Sequence, residues 1–170
     1  LAADEICQQR GVGTAYVAGA AYSDIVDECY WNYLRVYAPE NAQLINASRH
    51  EVPGETLVAG QTWNRTAQPT EEFESFETFA NFLLLPKSES LRPQLRYMLP
   101  QVITTSDNNT YLYQLEAMKQ PGTDGDDLSV SITLPEVASF VQAEPAPTRT
   151  EGQTLHFVTT LYKDKLISVT

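Results

Sequence analysis

Apolar and polar positions change rhythm along the chain, and the change divides it into an N-terminal helical part and a C-terminal strand part. From Thr14 to Ala38, with about 100° of turn per residue, Tyr16, Gly19, Tyr22, Val26, Tyr30, Tyr33, Leu34 and Tyr37 fall on one side. Ala18, Ile25, Cys29 and Val36 widen that side, while Asp24, Glu28, Asn32 and Arg35 lie opposite. The spacing predicts a long amphipathic helix with Thr14 as N-cap and Pro39 as its stop. A short helix over Asp4–Arg10 precedes it, broken off by Gly11-Val12-Gly13. A second helical region is expected over 69–85. There Thr70 would cap, Glu71 and Glu72 would face the helix dipole, and Phe73, Phe76, Phe79, Ala80 and Leu83 would form the buried face. Residues 88–98 suggest a further helical turn, interrupted by Pro93.

Elsewhere the period is two. Val52-Pro53-Gly54-Glu55 is a turn signal, and Glu55–Trp63 reads as a strand. In the last seventy residues, Thr110–Met118, Leu128–Leu134, Val137–Gln142, Gln153–Tyr162 and Leu166–Val169 read as strands. Leu128, Val130, Ile132 and Leu134 alternate with Ser129, Ser131 and Thr133, the pattern of a half-buried strand with one wet face. Lys163-Asp164-Lys165 reads as a hairpin turn, and Ala143–Gly152, rich in proline and small residues, as an extended loop. The expected fold is therefore α+β: N-terminal helices, one of them long and amphipathic, packed on an antiparallel sheet formed mainly by the C-terminal half. A single domain spanning 1–170 fits the length.

Charge narrows the partners. Acidic residues outnumber basic ones 22 to 11, giving a net charge of −11. Such a surface repels phosphate backbones and anionic lipid heads, so no nucleic-acid partner is expected. No apolar run approaches the ~20 residues of a membrane-spanning helix, so no insertion is expected either. A protein partner, including a basic one, is compatible with this charge.

Cys7 and Cys29 are the only cysteines, and an isolated pair in a short chain reads as one disulfide. Asn46-Ala47-Ser48, Asn64-Arg65-Thr66 and Asn108-Asn109-Thr110 are sequons, which makes Asn46, Asn64 and Asn108 candidate N-glycosylation sites. Together they favour a secreted or extracytoplasmic setting, periplasmic in a bacterium, where the sequons would be accidental.

Chemistry leaves a thin trace. His50 and His156 are the only histidines. His50 sits with Ser48 and Glu51, but neighbours in sequence rarely form a triad, which the fold must assemble. His156 lies in an alternating strand and reads as a sheet-face residue. Gly122–Asp127 is acidic and glycine-rich, as a calcium loop is, yet lacks EF-hand spacing and reads as a solvated turn. No zinc-ligand spacing and no phosphate-cradling glycine motif is present, so no metal, cofactor or catalytic residue is assigned. Trp31, at the edge of the long stripe, is the candidate exposed contact residue.

These observations favour a non-enzymatic extracytoplasmic protein-interaction domain. The competing readings are an acidic inhibitor or immunity-type protein that binds a basic enzyme or toxin, a carboxylate-based hydrolase, and a small-ligand carrier. The hydrolase requires acids converging in a concave pocket.

Overall fold

The computed structural model describes residues 29–57, 59–70, 75–86, 89–100, 102–106 and 109–170. Among them there is no α-helix. Fourteen strands and one short 3-10 turn, Gly54–Thr56, make up the regular structure, so the expected α+β class is corrected to all-β. The chain divides into two compact units, residues 1–100 and 101–170.

In the first unit, β1 (Tyr30–Pro39) occupies what the stripe predicted as the end of the long helix; the rest of that helix and the short one before it lie outside the described residues. The segment Tyr30-Trp31-Asn32-Tyr33-Leu34-Arg35-Val36-Tyr37 is dominated by aromatic and β-branched side chains, which fit a pleated surface better than a helix. Its burial alternates: Leu34, Val36 and Ala38 turn inward, and Tyr33, Arg35 and Tyr37 outward.

The second predicted helix is likewise a pair of strands, β5 (Gln68–Thr70) and β6 (Phe76–Leu85). Both pair with β6 as centre: the sheet order is β1-β6-β5, and all pairs are antiparallel. Thr78, Phe79, Ala80, Asn81 and Leu83 are all buried because β6 is covered on both faces. A strand covered on both faces has apolar residues of both parities, and such a run also satisfies helical spacing.

Two ribbons complete the unit. β2 (Gln43–Ala47) pairs with β7 (Leu95–Met98), with a register shift between Leu44 and Asn46, and β3 (His50–Val52) pairs with β4 (Trp63–Arg65). The expected strand over Glu55–Trp63 is instead the 3-10 turn and a loop, with only Trp63 in a strand. A Cβ on Gly54 would lie 2.7 Å from the Gly60 carbonyl oxygen and 2.8 Å from the Thr62 nitrogen, so this loop closes on a residue without a side chain. The predicted helical turn near 88–98 contains strand β7 at its end.

The core gathers Ala38, Ala42, Ala67 and Phe79, with Leu44, Leu95, Tyr97 and Leu99 packed against them. Phe79 meets Tyr97 at 5.7 Å between ring centroids. Buried Asn81 ties β6 to the β3–β4 ribbon: its Oδ1 accepts from Trp63 Nε1 at 3.4 Å, and its Nδ2 donates to the Arg65 carbonyl at 3.2 Å. Its amide is thus satisfied at both ends inside the unit.

The second unit comprises β8 (Ile103–Ser106), β9 (Thr110–Ala117), β10 (Asp126–Thr133), β11 (Ala143–Glu144), β12 (Arg149–Glu151), β13 (Thr154–Leu161) and β14 (Lys165–Val169). They form two sheets, of order β10-β13-β12 and β11-β14-β9-β8. Four of the five strands expected here are present as β9, β10, β13 and β14, but they form no single meander. β9 pairs with β14 in one sheet and β10 with β13 in the other. The segments β9–β10 and β13–β14 therefore run together as a two-stranded ribbon folded over a common core, the way a jelly roll is wound. Lys163-Asp164-Lys165 carries the chain between sheets and is not a hairpin.

The true hairpin joins β12 to β13 through Gly152-Gln153, with Gly152 at φ 55°, the left-handed region that primed two-residue turns require. The proline-rich stretch read as loop supplies the short strands β11 and β12. The core lies between the sheets: Leu155 and Phe157 of β13 meet Ile167 and Val169 of β14, flanked by Leu115, Val130, Ile132 and Ala143.

Both tryptophans, Trp31 and Trp63, lie in the first unit, so intrinsic fluorescence reports its unfolding. Replacing Phe79 with Ala should lower that unit's stability by about 3–5 kcal/mol, through lost burial and the cavity left behind. In denaturant titration the tryptophan transition should move to lower concentration with an unchanged slope. Replacing Asn81 with Leu should cost about 1–3 kcal/mol, because it leaves the Trp63 N–H and the Arg65 carbonyl unpaired.

Candidate functional site

The residues singled out from sequence fall in several places. Trp31 is half-buried and stacks on Phe82 at 5.8 Å, and Phe82 in turn meets Trp63 edge-on at 6.4 Å. Trp31 is thus part of an aromatic row across β1, β6 and β4. Asn46 and Asn64 are exposed on the first unit, and the Asn64 side-chain amide donates to Glu51 Oε2 at 2.8 Å; Asn108 lies outside the described residues. No Cys7–Cys29 bridge is seen among the described residues, because Cys7 lies outside them; Cys29 itself is not a free thiol.

Ser48 and His50 do meet: Ser48 Oγ lies 2.8 Å from His50 Nε2. Glu51 is not brought to the pair and binds Asn64 instead. Ser48 Oγ also accepts the Gln94 N–H at 3.0 Å, while the Ser48 N–H donates to the Gln94 carbonyl at 2.8 Å. This hydroxyl therefore closes the chain between β2 and β7. The enclosed cavity beside it, about 10 Å³, is no larger than a water. A shallow depression next to it is lined by Asn46, Ala47, Ser48, Pro93, Gln94, Leu95 and Arg96. Neither is lined by Asp or Glu, so neither supplies the paired acids that the hydrolase reading needs.

A second histidine arrangement was not foreseen. On the outer face of β10-β13-β12, Ser131 Oγ lies 2.9 Å from His156 Nδ1, and His156 Nε2 lies 3.5 Å from Glu151 Oε2. Arg149 pairs with Glu151 at 3.0 Å. The His156–Glu151 separation is an ion-pair distance without hydrogen-bond alignment, since His156 Nε2 has no hydrogen-bond partner. The signal was the register that sets Ser131 and Arg149 opposite His156, which a single strand's sequence does not contain. The group lies on an open sheet face, with no cavity lined by its members, and is a cross-strand polar cluster.

The acidic loop after β9 does hold a cation, but the cation belongs to the chain. Lys119 Nζ donates to the carbonyls of Gln120 (2.7 Å) and Thr123 (2.9 Å) and to the Thr123 hydroxyl. Asp126 Oδ2 lies 3.4 Å from it. Two carbonyls, a hydroxyl and a carboxylate converge on an ammonium whose side chain is only 12% exposed. Among the described residues no group of acids, histidines and cysteines could hold a metal ion. The Lys119 N–H also donates to Asp164 Oδ1 at 2.7 Å, which fastens this loop to the β13–β14 crossing.

The feature best suited to recognition is the loop between β10 and β11. Val137–Gln142 was read as a strand; the chain instead makes a turn at Pro135–Ala138 and continues without regular structure. Val137 is 98% exposed, Val141 68% and Phe140 38%. The loop is nonetheless fastened throughout. The Gln153 side-chain amide shares its N–H groups among the carbonyls of Pro135 (3.2 Å), Glu136 (3.3 Å) and Ala138 (2.9 Å). At its far end, Val141 and Gln142 donate to the Thr170 carbonyl, and Thr170 donates back to Gln142. Gln153 was read only as the first residue of a strand, and nothing local in the sequence marks it as a clamp.

No protein-family model matches this chain, and no curated protein or solved structure shows significant similarity to it.

Replacing Lys119 with Met should leave the Gln120 and Thr123 carbonyls and Asp126 without their donor and destabilise the second unit by about 1–3 kcal/mol. Thermal unfolding by calorimetry checks this.

Proposed function

We propose that this chain is a non-enzymatic interaction module that works outside the cytosol and engages a partner protein through the loop at 135–142. One observation carries the reading: three apolar side chains stand in solvent on a loop whose backbone is pinned by Gln153 and Thr170. An exposed apolar tip is costly to maintain and tends to mark a contact surface. A tip already held in one conformation loses little entropy on binding. Recognition loops are commonly presented in this way at the end of a β-sandwich.

The fitting partner offers an apolar recess for Val137 and Phe140. A basic rim around that recess would complement Glu136 beside the tip and the overall charge of −11. The absence of a free thiol among the described residues agrees with an oxidising compartment.

A photo-activated cross-linking residue at position 137 should give one dominant protein adduct in the native source, and the same probe at Thr150, on the short strand β12, should not. Replacing Val137 with Asp should abolish binding of that adduct's protein. Replacing Gln153 with Ala should weaken it by loosening the loop, with little change in thermal midpoint. A partner that cross-links equally from both positions, or binds the Val137→Asp protein unchanged, would refute the reading.

A further inference from the structure

Strand β10 lies at the edge of its sheet. It pairs with β13 on one side, and none of its residues takes part in another interaction on the other. At eight residues it is the longest edge in the second unit; β8, β11 and β12 have four, two and three. It carries none of the usual guards of an exposed edge: no proline, no lysine, no bulge and no covering loop.

The order of residues along this edge suits one occupant, a second copy of itself. About Val130 the strand is symmetric in chemical type. Leu128 and Ile132 flank it on the inward face, Ser129 and Ser131 on the outward face, and Asp127 and Thr133 lie one step farther out. Residues directly opposite in an antiparallel pair share a face. A twofold axis through Val130 therefore sets Val130 against the partner's Val130, Leu128 against the partner's Ile132, Ser129 against the partner's Ser131, and Asp127 against the partner's Thr133. The apolar row and the hydroxyl row both continue across the junction. Each Asp127 faces a hydroxyl that can donate to it, and no like charges meet. Centring the axis on Ser129 instead would set Asp126 against the partner's Ile132, a worse match.

We infer that β10 is a self-association edge, and that two copies of this chain pair there antiparallel to give a continuous six-stranded sheet, β12-β13-β10-β10-β13-β12. This inference stands apart from the loop proposed above for a different partner, and either can fail without the other. A contact made by one strand lies below the ~1,200 Å² of the standard interface, so the association is a reversible equilibrium. Two molecules of charge −11 repel at long range, so added salt should strengthen it.

Sedimentation of the full chain over rising concentration should show a monomer–dimer equilibrium that shifts toward dimer in high salt. In the variant carrying both Ser129→Lys and Ser131→Lys, each lysine faces a lysine in the predicted register. Its dissociation constant should rise by roughly tenfold or more, with the thermal midpoint retained because both serines are exposed. Mixing it with the Ser129→Glu/Ser131→Glu variant should restore dimers. Should the lysine variant fold poorly, hydrogen exchange on the unaltered chain decides: amides of 126–133 should slow as dimer forms, and those of 149–151 should not. A chain that stays monomeric at all concentrations in both salts overturns the inference. So does a folded lysine variant that dimerises like the original, or exchange that slows outside β10 only.

Discussion

Each unit hangs on a strand that is paired along both edges and must therefore be covered by whatever else the chain can bring to it. In the first unit this strand is β6, held between β1 and β5 and closed over by the β2–β7 ribbon through Phe79 and Tyr97. In the second it is β13, held between β10 and β12 and covered by β14. Backbone groups in such a strand have no access to water, so its ladder must be complete. The remaining strands are placed by that need. Asn81 shows how strict it is: the buried amide in the middle of β6 is tolerated because a tryptophan N–H and a backbone carbonyl are delivered to it.

That same two-sided burial explains what was legible in the sequence. Strands with one wet face announce themselves, as the Leu128, Val130, Ile132 series does against Ser129, Ser131 and Thr133. β6 has no wet face, so Phe76, Phe79, Ala80 and Leu83 fit a helical wheel as well as they fit a strand, and the capping signal at Thr70 tipped the reading the wrong way. In β1 the choice of residues, rich in Tyr and Trp, spoke for a strand while their spacing spoke for a helix. Tertiary pairing with β6 decided between them. The sheet partners of the C-terminal strands were hidden for another reason: Lys163-Asp164-Lys165 has a hairpin's length, but the apolar faces of β13 and β14 bury each other best from opposite sheets.

Of the candidate chemistry, the sequence could show which residue types were near one another along the chain and not which faced one another. Ser48 and His50 do touch, but the hydroxyl is committed to the Gln94 backbone, and Glu51 turns away to Asn64. The Ser131–His156–Glu151 group draws one member from each of three strands, and register alone assembles it. Gln153 is the sharpest case. Its side chain sets the shape of the 135–142 loop from across a hairpin, and no periodicity or motif points at a glutamine for that task.

The anion-lined turn after β9 is occupied by an amine that the chain supplies itself. A loop ordered by calcium is only as firm as the surrounding calcium allows, and it slackens wherever the ion is scarce or sequestered. Here the counter-charge is tethered by a covalent stem, at a fixed one-to-one ratio. The link from Lys119 to the Asp164 crossing should therefore hold equally in ion-poor and ion-rich surroundings, with no mineral supply to track.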